Sequence, residues 1–177
     1  FLRGETLKLT NLNEMTVAYS RDIAVGYRNE KVAFDNLYKV VQTPDIHWVS
    51  HHLLDGHRSE DSVIPGFNLV VIDVDGGVNI STIKLLLAEY KFLLYTTKRH
   101  TDTEHRCRIL LPISHELTLD TQEYKDFMRN IYQWLPFEVD TSTNQRAKKW
   151  LSHRMQYEYN EGKLLDALPF IPKTSKN

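Results

Sequence analysis

The stretch that most constrains the fold is FNLVVIDVDGG, residues 67–77, where an apolar run ends in two carboxylates and two glycines. A β-branched run of this kind is typical of a buried strand, and side chains two apart in a strand point to the same face. Asp73 and Asp75 are therefore predicted to share one face, with Ile72 and Val74 packed on the other. Two like charges side by side are costly unless a cation lies between them, so the pair indicates a divalent metal.

The same alternation brings bases together in a later apolar run, HRCRILL at residues 105–111. Arg106 and Arg108 are predicted to share a face of that strand. Guanidinium groups suit phosphate oxygens, so acids beside bases indicate phosphoryl or nucleotidyl transfer. A third predicted strand, 92–96, ends in a basic cluster formed by Lys98, Arg99 and His100.

Composition is that of one ordinary globular domain. The 177 residues are 41% hydrophobic and 25% charged. The single cysteine, Cys107, excludes an intramolecular disulfide and a zinc site built from several thiolates. The net charge of −1 requires any nucleic-acid contact to come from a local basic patch. No apolar run approaches the roughly 20 residues that span a bilayer, so we expect no membrane association.

Periodicity predicts an alternation of helices and strands, with no internal repeat. A polar, His-rich segment over 43–65 is predicted to be irregular because Gly and Pro interrupt it. The predicted strands are 69–74, 92–96, 106–113 and 137–140. The predicted helices are 30–42, one capped by Asn79 or Ser81, one from Asp120 or Thr121 to Trp134, and one through Ala147, Trp150 and Leu151.

Several of these residues also have plainer interpretations. Asp140, in FEVDTS, could close a metal site at a strand end or simply cap the next helix. Arg146 could reach phosphate or template, although a solvated position is favoured. His47 and His51 are four apart, but their Gly- and Pro-containing surroundings favour a loop over a zinc site. DVDGG could likewise be only a turn, His100 a surface histidine, and Arg106 and Arg108 a solvated strand face.

In combination, these motifs resemble the archaeo-eukaryotic primase superfamily, the primase-polymerases of viral and plasmid replication proteins. That family has a D-x-D motif on one strand, a short motif ending in His on the next, and a third Asp after a helix. Asp73 and Asp75, then His100, then Asp140 stand in this order over roughly 69–150. The second motif differs, because Lys98 stands where a small hydroxyl residue is usual and Thr97 precedes it.

The resemblance implies an α/β (α+β) fold, an RRM-like primase-polymerase core with a mixed or antiparallel sheet and flanking helices. It implies that Asp73, Asp75 and Asp140 bind two divalent ions, Mg²⁺ or Mn²⁺. The implied activity is that of a DNA primase or DNA-directed polymerase: template-directed nucleotidyl transfer on single-stranded DNA, synthesising primers and extending them. The residues expected to hold the incoming nucleoside triphosphate are His100, Arg106, Arg108, Lys98, Arg99 and Thr97.

We expect residues 1–166 to form the catalytic domain, with an N-terminal helical and irregular part at 1–66 and the core at 67–166. Residues 167–177 are expected to be an exit linker toward a further domain. The expected partners are a single-stranded DNA template and nucleoside triphosphates, and a replicative helicase, fused or separate, is a candidate. The expected location is the cytoplasm, that of the host if a phage or plasmid encodes the protein.

Two other functions compete with this one. In a haloacid-dehalogenase-like phosphatase, Asp73 would be the nucleophile and Asp75 the acid/base. Thr or Val usually follows that motif where this chain has Gly77, the downstream paired acids are missing, and the two arginines would have no role. In a non-catalytic module that binds single strands by charge and stacking, three carboxylates would face phosphate without a metal, which is unfavourable.

Overall fold

The computed structural model describes residues 7–173, which form two antiparallel sheets with few helices. The helices are α1 (Leu37–Val41), α2 (Ile80–Leu86) and α3 (Thr121–Trp134), with 3₁₀ turns at Phe34–Asn36, Leu54–Gly56, Glu60–Ser62 and Leu168–Phe170. The strands are β1 (Lys8–Leu9), β2 (Met15–Ser20), β3 (Arg28–Val32), β4 (His47–Val49), β5 (His52–Leu53), β6 (Val63–Ile64), β7 (Phe67–Asp75), β8 (Phe92–Thr96), β9 (Arg106–Leu117), β10 (Trp150–Leu151) and β11 (Tyr157–Asn160).

The five-stranded main sheet is organised around β9, which pairs antiparallel with β1, β7 and β8. Strand β11 continues the sheet beyond β8. A second sheet of four strands has the order β10-β4-β2-β3, and β5 and β6 form a separate ribbon. The α+β class and the antiparallel sheet predicted from the sequence are confirmed.

Alternating residues of β7 divide the hydrophobic core in two. Val70, Ile72 and Val74 pack with α2 and α3 on one face of the main sheet. Leu69 and Val71 pack on the other face, against the second sheet. Since side chains two apart share a face, Asp73 and Asp75 continue the line of Leu69 and Val71. The two carboxylates therefore lie on the side of the main sheet that the second sheet covers.

Several element predictions are confirmed. Strands β7 and β8 lie where their apolar runs predict. Helix α2 begins after Asn79, whose side chain accepts a hydrogen bond from the backbone N–H of Thr82 at 3.0 Å. Helix α3 begins with a capping box in which Asp120 and Glu123 each bond the other's backbone N–H. These elements depend on local pattern and caps, which the sequence displays directly.

Other element predictions are wrong, and in most cases pairing with a distant strand is the reason. The predicted helix 30–42 is a strand up to Val32, because β3 pairs with β2, and only its second part is helical, in the 3₁₀ turn at Phe34–Asn36 and in α1. Strand β9 continues past Pro112 to Leu117. Pro112 lies where the register between β7 and β9 shifts, and because the hydrogen-bond ladder is irregular there, the missing N–H of the proline breaks no regular pairing. Residues 137–140 form no strand. The helix predicted through Leu151 is absent, because Trp150 and Leu151 pair with β4.

The first part of the predicted exit linker is packed into the domain. Ala167 is fully buried and Phe170 is 8% exposed, and both belong to the core beside α3. The Phe170 ring lies 5.5 Å from the ring of Trp134, centroid to centroid. The chain is thus part of the domain at least as far as this 3₁₀ turn, and residues 174–177 lie outside the described part.

His51 is fully buried among aromatic rings, with its ring centroid 5.1 Å from that of Phe67 and 5.2 Å from that of Tyr124. Neither ring nitrogen has a hydrogen-bond partner. Burial lowers the pKa of His51 to about 3, and the nearby Arg146 charge acts in the same direction. The imidazole is therefore neutral in the folded protein at neutral pH.

This burial predicts a loss of stability in mild acid. The unfolded chain binds a proton at His51 below about pH 6.5, whereas the folded chain does not, so the stabilisation present above pH 6.5 is lost as pH falls. Between pH 7.5 and 5 we expect His51→Phe to lose about 2 kcal/mol less unfolding free energy than the wild type. Urea denaturation measures this, with His57→Ala, an exposed histidine, as control. Equal losses in wild type and His51→Phe would contradict the prediction.

Candidate active site

The pairing of β7 with β9 sets acids directly opposite bases. In the antiparallel register Asp73 faces Arg108 and Asp75 faces Arg106. The Arg108 Nε lies 3.3 Å from Asp73 Oδ1, and Arg106 Nη1 forms an ion pair with Asp75 Oδ1. The predicted parity of both motifs is confirmed, and the two strands neighbour each other as the charge pattern requires.

Arg108 is held in place from several sides. Its Nη1 donates to the hydroxyl of Tyr95 at 2.9 Å and to the carbonyl of Leu151 at 2.7 Å. The guanidinium carbon lies 5.0 Å from the centroid of the Trp150 ring. Burial alone would lower the pKa of Arg108, but Tyr95 and Asp73 raise it. Arg108 is therefore a fixed positive charge beside Asp73.

The three acids predicted to bind metal lie near one another. The backbone N–H of Asp140 donates to the carbonyl of Asp73 at 2.9 Å. Burial raises the pKa of Asp73; Arg108 opposes this, and the charges of Asp140 and Asp75 raise the pKa further. Asp140 itself accepts hydrogen bonds from the hydroxyl and backbone N–H of Ser142, which lower its pKa. Asp140 thus opens a turn and caps no helix, and its backbone is tied to β7.

A cavity of about 230 Å³ opens over this part of the sheet. It brings together six of the sequence-predicted residues, two acids from β7, one base from β9 and three residues after β8. The six are Asp73, Asp75, Arg108, Thr97, Lys98 and Arg99. Lys98 and Arg99 are exposed, and within residues 7–173 neither forms an ion pair. The cavity therefore has an acidic wall facing uncommitted positive charge.

Leu151, Ser152 and His153 complete the cavity and were not found from the sequence. They lie at and after the short strand β10, far along the chain from β7 and β8. The tripeptide LSH carries no motif, and the pattern around it predicted a helix. Only the pairing of β10 with β4 could have placed it, and that pairing spans two residues.

Three predicted site residues do not line this cavity: His100, Arg106 and Asp140. His100 lines a neighbouring cavity of about 470 Å³ together with His105 and Lys84. Arg106 is instead occupied by its pair with Asp75.

His100 and His105 each accept a hydrogen bond from a backbone N–H. His100 Nδ1 accepts from the backbone N–H of Arg106 at 3.1 Å, and His105 Nδ1 accepts from that of Ile80 at 2.9 Å. Their ring centroids are 4.9 Å apart. Burial lowers the pKa of His100, as does the neighbouring His105. These two hydrogen bonds fasten the loop after β8 to α2 and β9, and so hold Lys98 and Arg99 at the cavity.

Arg146 is neither solvated nor at the cavity; it is 8% exposed and buried in a polar network. Its Nε lies 2.7 Å from Glu60 Oε1, its Nη1 donates to the carbonyl of Leu119 at 3.0 Å, and its Nη2 donates to Thr121. Glu60 also accepts from the backbone N–H of Ala147 at 3.2 Å. This network fixes the segment that leads from Asp140 to the cavity residues after Trp150.

Within the described residues, no group of three or more His, Cys, Asp or Glu side chains is arranged so that it could hold a metal ion. The chemistry of the acids nevertheless fits one, because carboxylate oxygens are the ligands that Mg²⁺ and Mn²⁺ prefer. Burial raises the pKa of Asp73, and the charges of Asp140 and Asp75 add to this effect, which a bound cation would oppose. Arg106, Arg108 and Ser142 balance these carboxylates in the protein alone.

Comparison with known proteins identifies the family of this chain and a similar fold. The VapE N-terminal domain family matches residues 45–167, more than half of the chain. No curated protein matches. Among solved structures, the AEP domain of the primase-polymerase (PrimPol) of cyanophage S-2L is similar, with a TM-score of 0.50 and 14% sequence identity over 92% of this chain and 91% of that one. The chain belongs to the VapE N-terminal domain family, and its fold is similar to that of the primase-polymerase AEP domain.

Proposed function

We propose that this domain joins nucleoside triphosphates on a single-stranded DNA template, as a primase and DNA-directed polymerase. The observation that carries the proposal is the cavity with Asp73 and Asp75 on one wall and the exposed Lys98 and Arg99 on another. A nucleoside triphosphate needs both signs of charge, because its polyphosphate binds cationic side chains while acids hold the metal ions that accompany it.

Asp73, Asp75 and Asp140 would hold two Mg²⁺ or Mn²⁺ ions. Bound there, the ions would supply charge stabilisation at the reacting phosphoryl group and at the leaving pyrophosphate. Asp75, whose side chain is 52% exposed, provides the accessible carboxylate, and Asp73, at 18%, provides the one enclosed by protein. Asp140 follows Asp73 through its backbone hydrogen bond, so displacement of one acid would displace the other.

The bases divide into two roles. Lys98 and Arg99 are exposed and uncommitted, and they would bind the triphosphate together with Thr97. Arg108 is fixed by Tyr95 and Leu151, so it balances the acids and orients Asp73 before substrate arrives. Arg106 does the same for Asp75. His100 would serve the nucleotide by holding the basic loop in place.

We place the catalytic domain between residue 1 and the 3₁₀ turn at Leu168–Phe170, with the core starting at β7. Single-stranded DNA and nucleoside triphosphates are its proposed partners, and a replicative helicase stays a candidate. No helix among residues 7–173 is long and apolar enough to cross a membrane.

Removing one acid tests the metal site. We expect Asp73→Asn to reduce nucleotide incorporation at least about 100-fold, because the variant keeps the shape of the side chain but loses the metal-binding charge. Incorporation is measured on single-stranded DNA with Mg²⁺ or Mn²⁺, with and without an annealed primer. Products made without a primer identify a primase, and products that need one identify a polymerase that only extends.

The matched control is Asp102→Asn, which removes one carboxylate from the loop after β8 outside this cavity. Circular dichroism and thermal melting establish that both variants are folded. Full activity in folded Asp73→Asn would show that the metal assignment is wrong.

Removing the loop charges tests the triphosphate site. We expect Lys98→Ala and Arg99→Ala each to raise the KM for nucleotide about 5- to 30-fold with a smaller change in kcat, because contact with phosphate exists already in the ground state. Steady-state kinetics at varied nucleotide concentration measure both constants. Lys163→Ala removes an equal, exposed charge that is paired with Glu89 and serves as control. An unchanged KM in both loop variants would exclude this loop from nucleotide binding.

A further inference from the structure

A second, larger groove lies beside the candidate active site, with a volume of about 440 Å³. The end of β2, the start of β3 and the chain around α1 form its walls. Its lining consists of Tyr19, Ser20, Arg21, Gly26, Arg28, Lys39, Val40, Thr43 and Ile46. None of these residues was singled out from the sequence.

The charged residues that line this groove are all basic, so we call it the basic groove. Arg21, Arg28 and Lys39 line it, and among residues 7–173 no acidic residue does. The cavity over Asp73 contains two acids, and the cavity at His100 contains Asp102 and Glu158. Three cations in one groove of a chain with net charge −1 form a local positive field that attracts a polyanion.

The cations of the groove are available to a ligand. Arg21, Arg28 and Lys39 are all exposed. Arg28 lies 3.5 Å from Glu30 with its side chain 74% exposed, and ion pairs this exposed contribute little. Arg21 makes a long contact of 3.4 Å to the carbonyl of Pro44. Within residues 7–173, Lys39 forms no ion pair. A phosphate would therefore displace little on binding.

The basic groove and the candidate active site share a wall. Ser152, which lines the active-site cavity, donates its hydroxyl to the carbonyl of Thr43, which lines the groove, at 2.5 Å. Ser152 Oγ also accepts from the backbone N–H of Ile46, another lining residue, at 3.0 Å. On the same wall, the carbonyl of His153 accepts from Gln42 Nε2 at 3.1 Å. A chain lying in the groove would thus pass on the other side of this wall from the cavity that contains the acids.

The remaining lining suits a sugar-phosphate chain with bases. Tyr19 is half-buried, and Val40 and Ile46 add apolar surface next to the charges. Single strands are typically bound by a positive groove that follows the backbone, with aromatic and apolar side chains against the bases. A free triphosphate has the same charge but would be separated from the carboxylates by the shared wall.

We propose that the basic groove binds the phosphodiester backbone of a single-stranded nucleic acid as the strand passes the active site. The proposal deepens the proposed function and rests on it for the identity of the strand. Arg21 and Lys39 contact phosphate, Arg28 exchanges Glu30 for phosphate, and Tyr19 faces a sugar or base. The contacts are to the backbone, so binding is independent of sequence.

The test is fluorescence anisotropy of a labelled oligo(dT) strand without nucleotide or metal, so that it does not depend on catalysis. We expect the double variant Arg21→Ala/Lys39→Ala to bind about tenfold more weakly at low salt. The slope of log affinity against log salt should become shallower by about 1.4, since each phosphate contact on a single strand contributes about 0.7. Lys125→Ala/Arg129→Ala, which removes two charges from α3, should bind as the wild type does.

Other outcomes would overturn the proposal. Unchanged strand affinity in the Arg21/Lys39 variant, in a protein that incorporates nucleotides, would remove the groove from strand binding and leave the proposed function standing. Equal weakening by the α3 variant would show an effect of net charge alone. A raised KM for nucleotide with unchanged strand affinity would assign the groove to the triphosphate. Weakened strand binding in a protein without incorporation would support the groove and contradict the polymerase.

Discussion

The register between β7 and β9 is the constraint on which the site depends. Because the side-chain period of a strand is two, a slip by one residue would turn Asp73 into the core beside α2 and bring Val74 to the cavity. The apolar residues of both strands prevent that slip, since they fill the two cores on alternate sides of the sheet. The same pairing that builds the core therefore sets Asp73 opposite Arg108 and Asp75 opposite Arg106.

This arrangement makes a carboxylate at the edge of a core tolerable. Burial disfavours the charged form of Asp73, and a lone buried carboxylate would take up a proton. Arg108 opposes that tendency, and Tyr95 and Leu151 hold its guanidinium so that it cannot turn away to solvent. Asp73 and Asp75 can therefore lie close together because each one is paired with an arginine on the same face of the sheet.

What the sequence predicted correctly is what local pattern determines. Alternation gave the shared face of Asp73 and Asp75, and capping residues marked the start of α3. The fold class followed from the order of motifs and from the family resemblance. The structure around Leu151 could not be predicted, because a strand of two residues is formed by its partner β4 and not by its own propensity. The direction of the His100 ring depends likewise on a hydrogen bond across the turn, which no periodicity records.

The location of the cavity follows from the extent of the two sheets, because the second sheet covers only part of β7. Along β7, Leu69 and Val71 are buried beneath the second sheet, Asp73 is 18% exposed and Asp75 is 52% exposed. A polar side chain at position 69 or 71 would lack hydrogen-bond partners in the apolar core. Asp73 and Asp75, in contrast, face an opening. The covering sheet ends with Trp150 and Leu151, and beyond them the chain turns away toward β11. The site therefore lies where β7 extends beyond the edge of the second sheet. Ser152 and His153 directly follow that edge, and they form the opposite wall of the cavity.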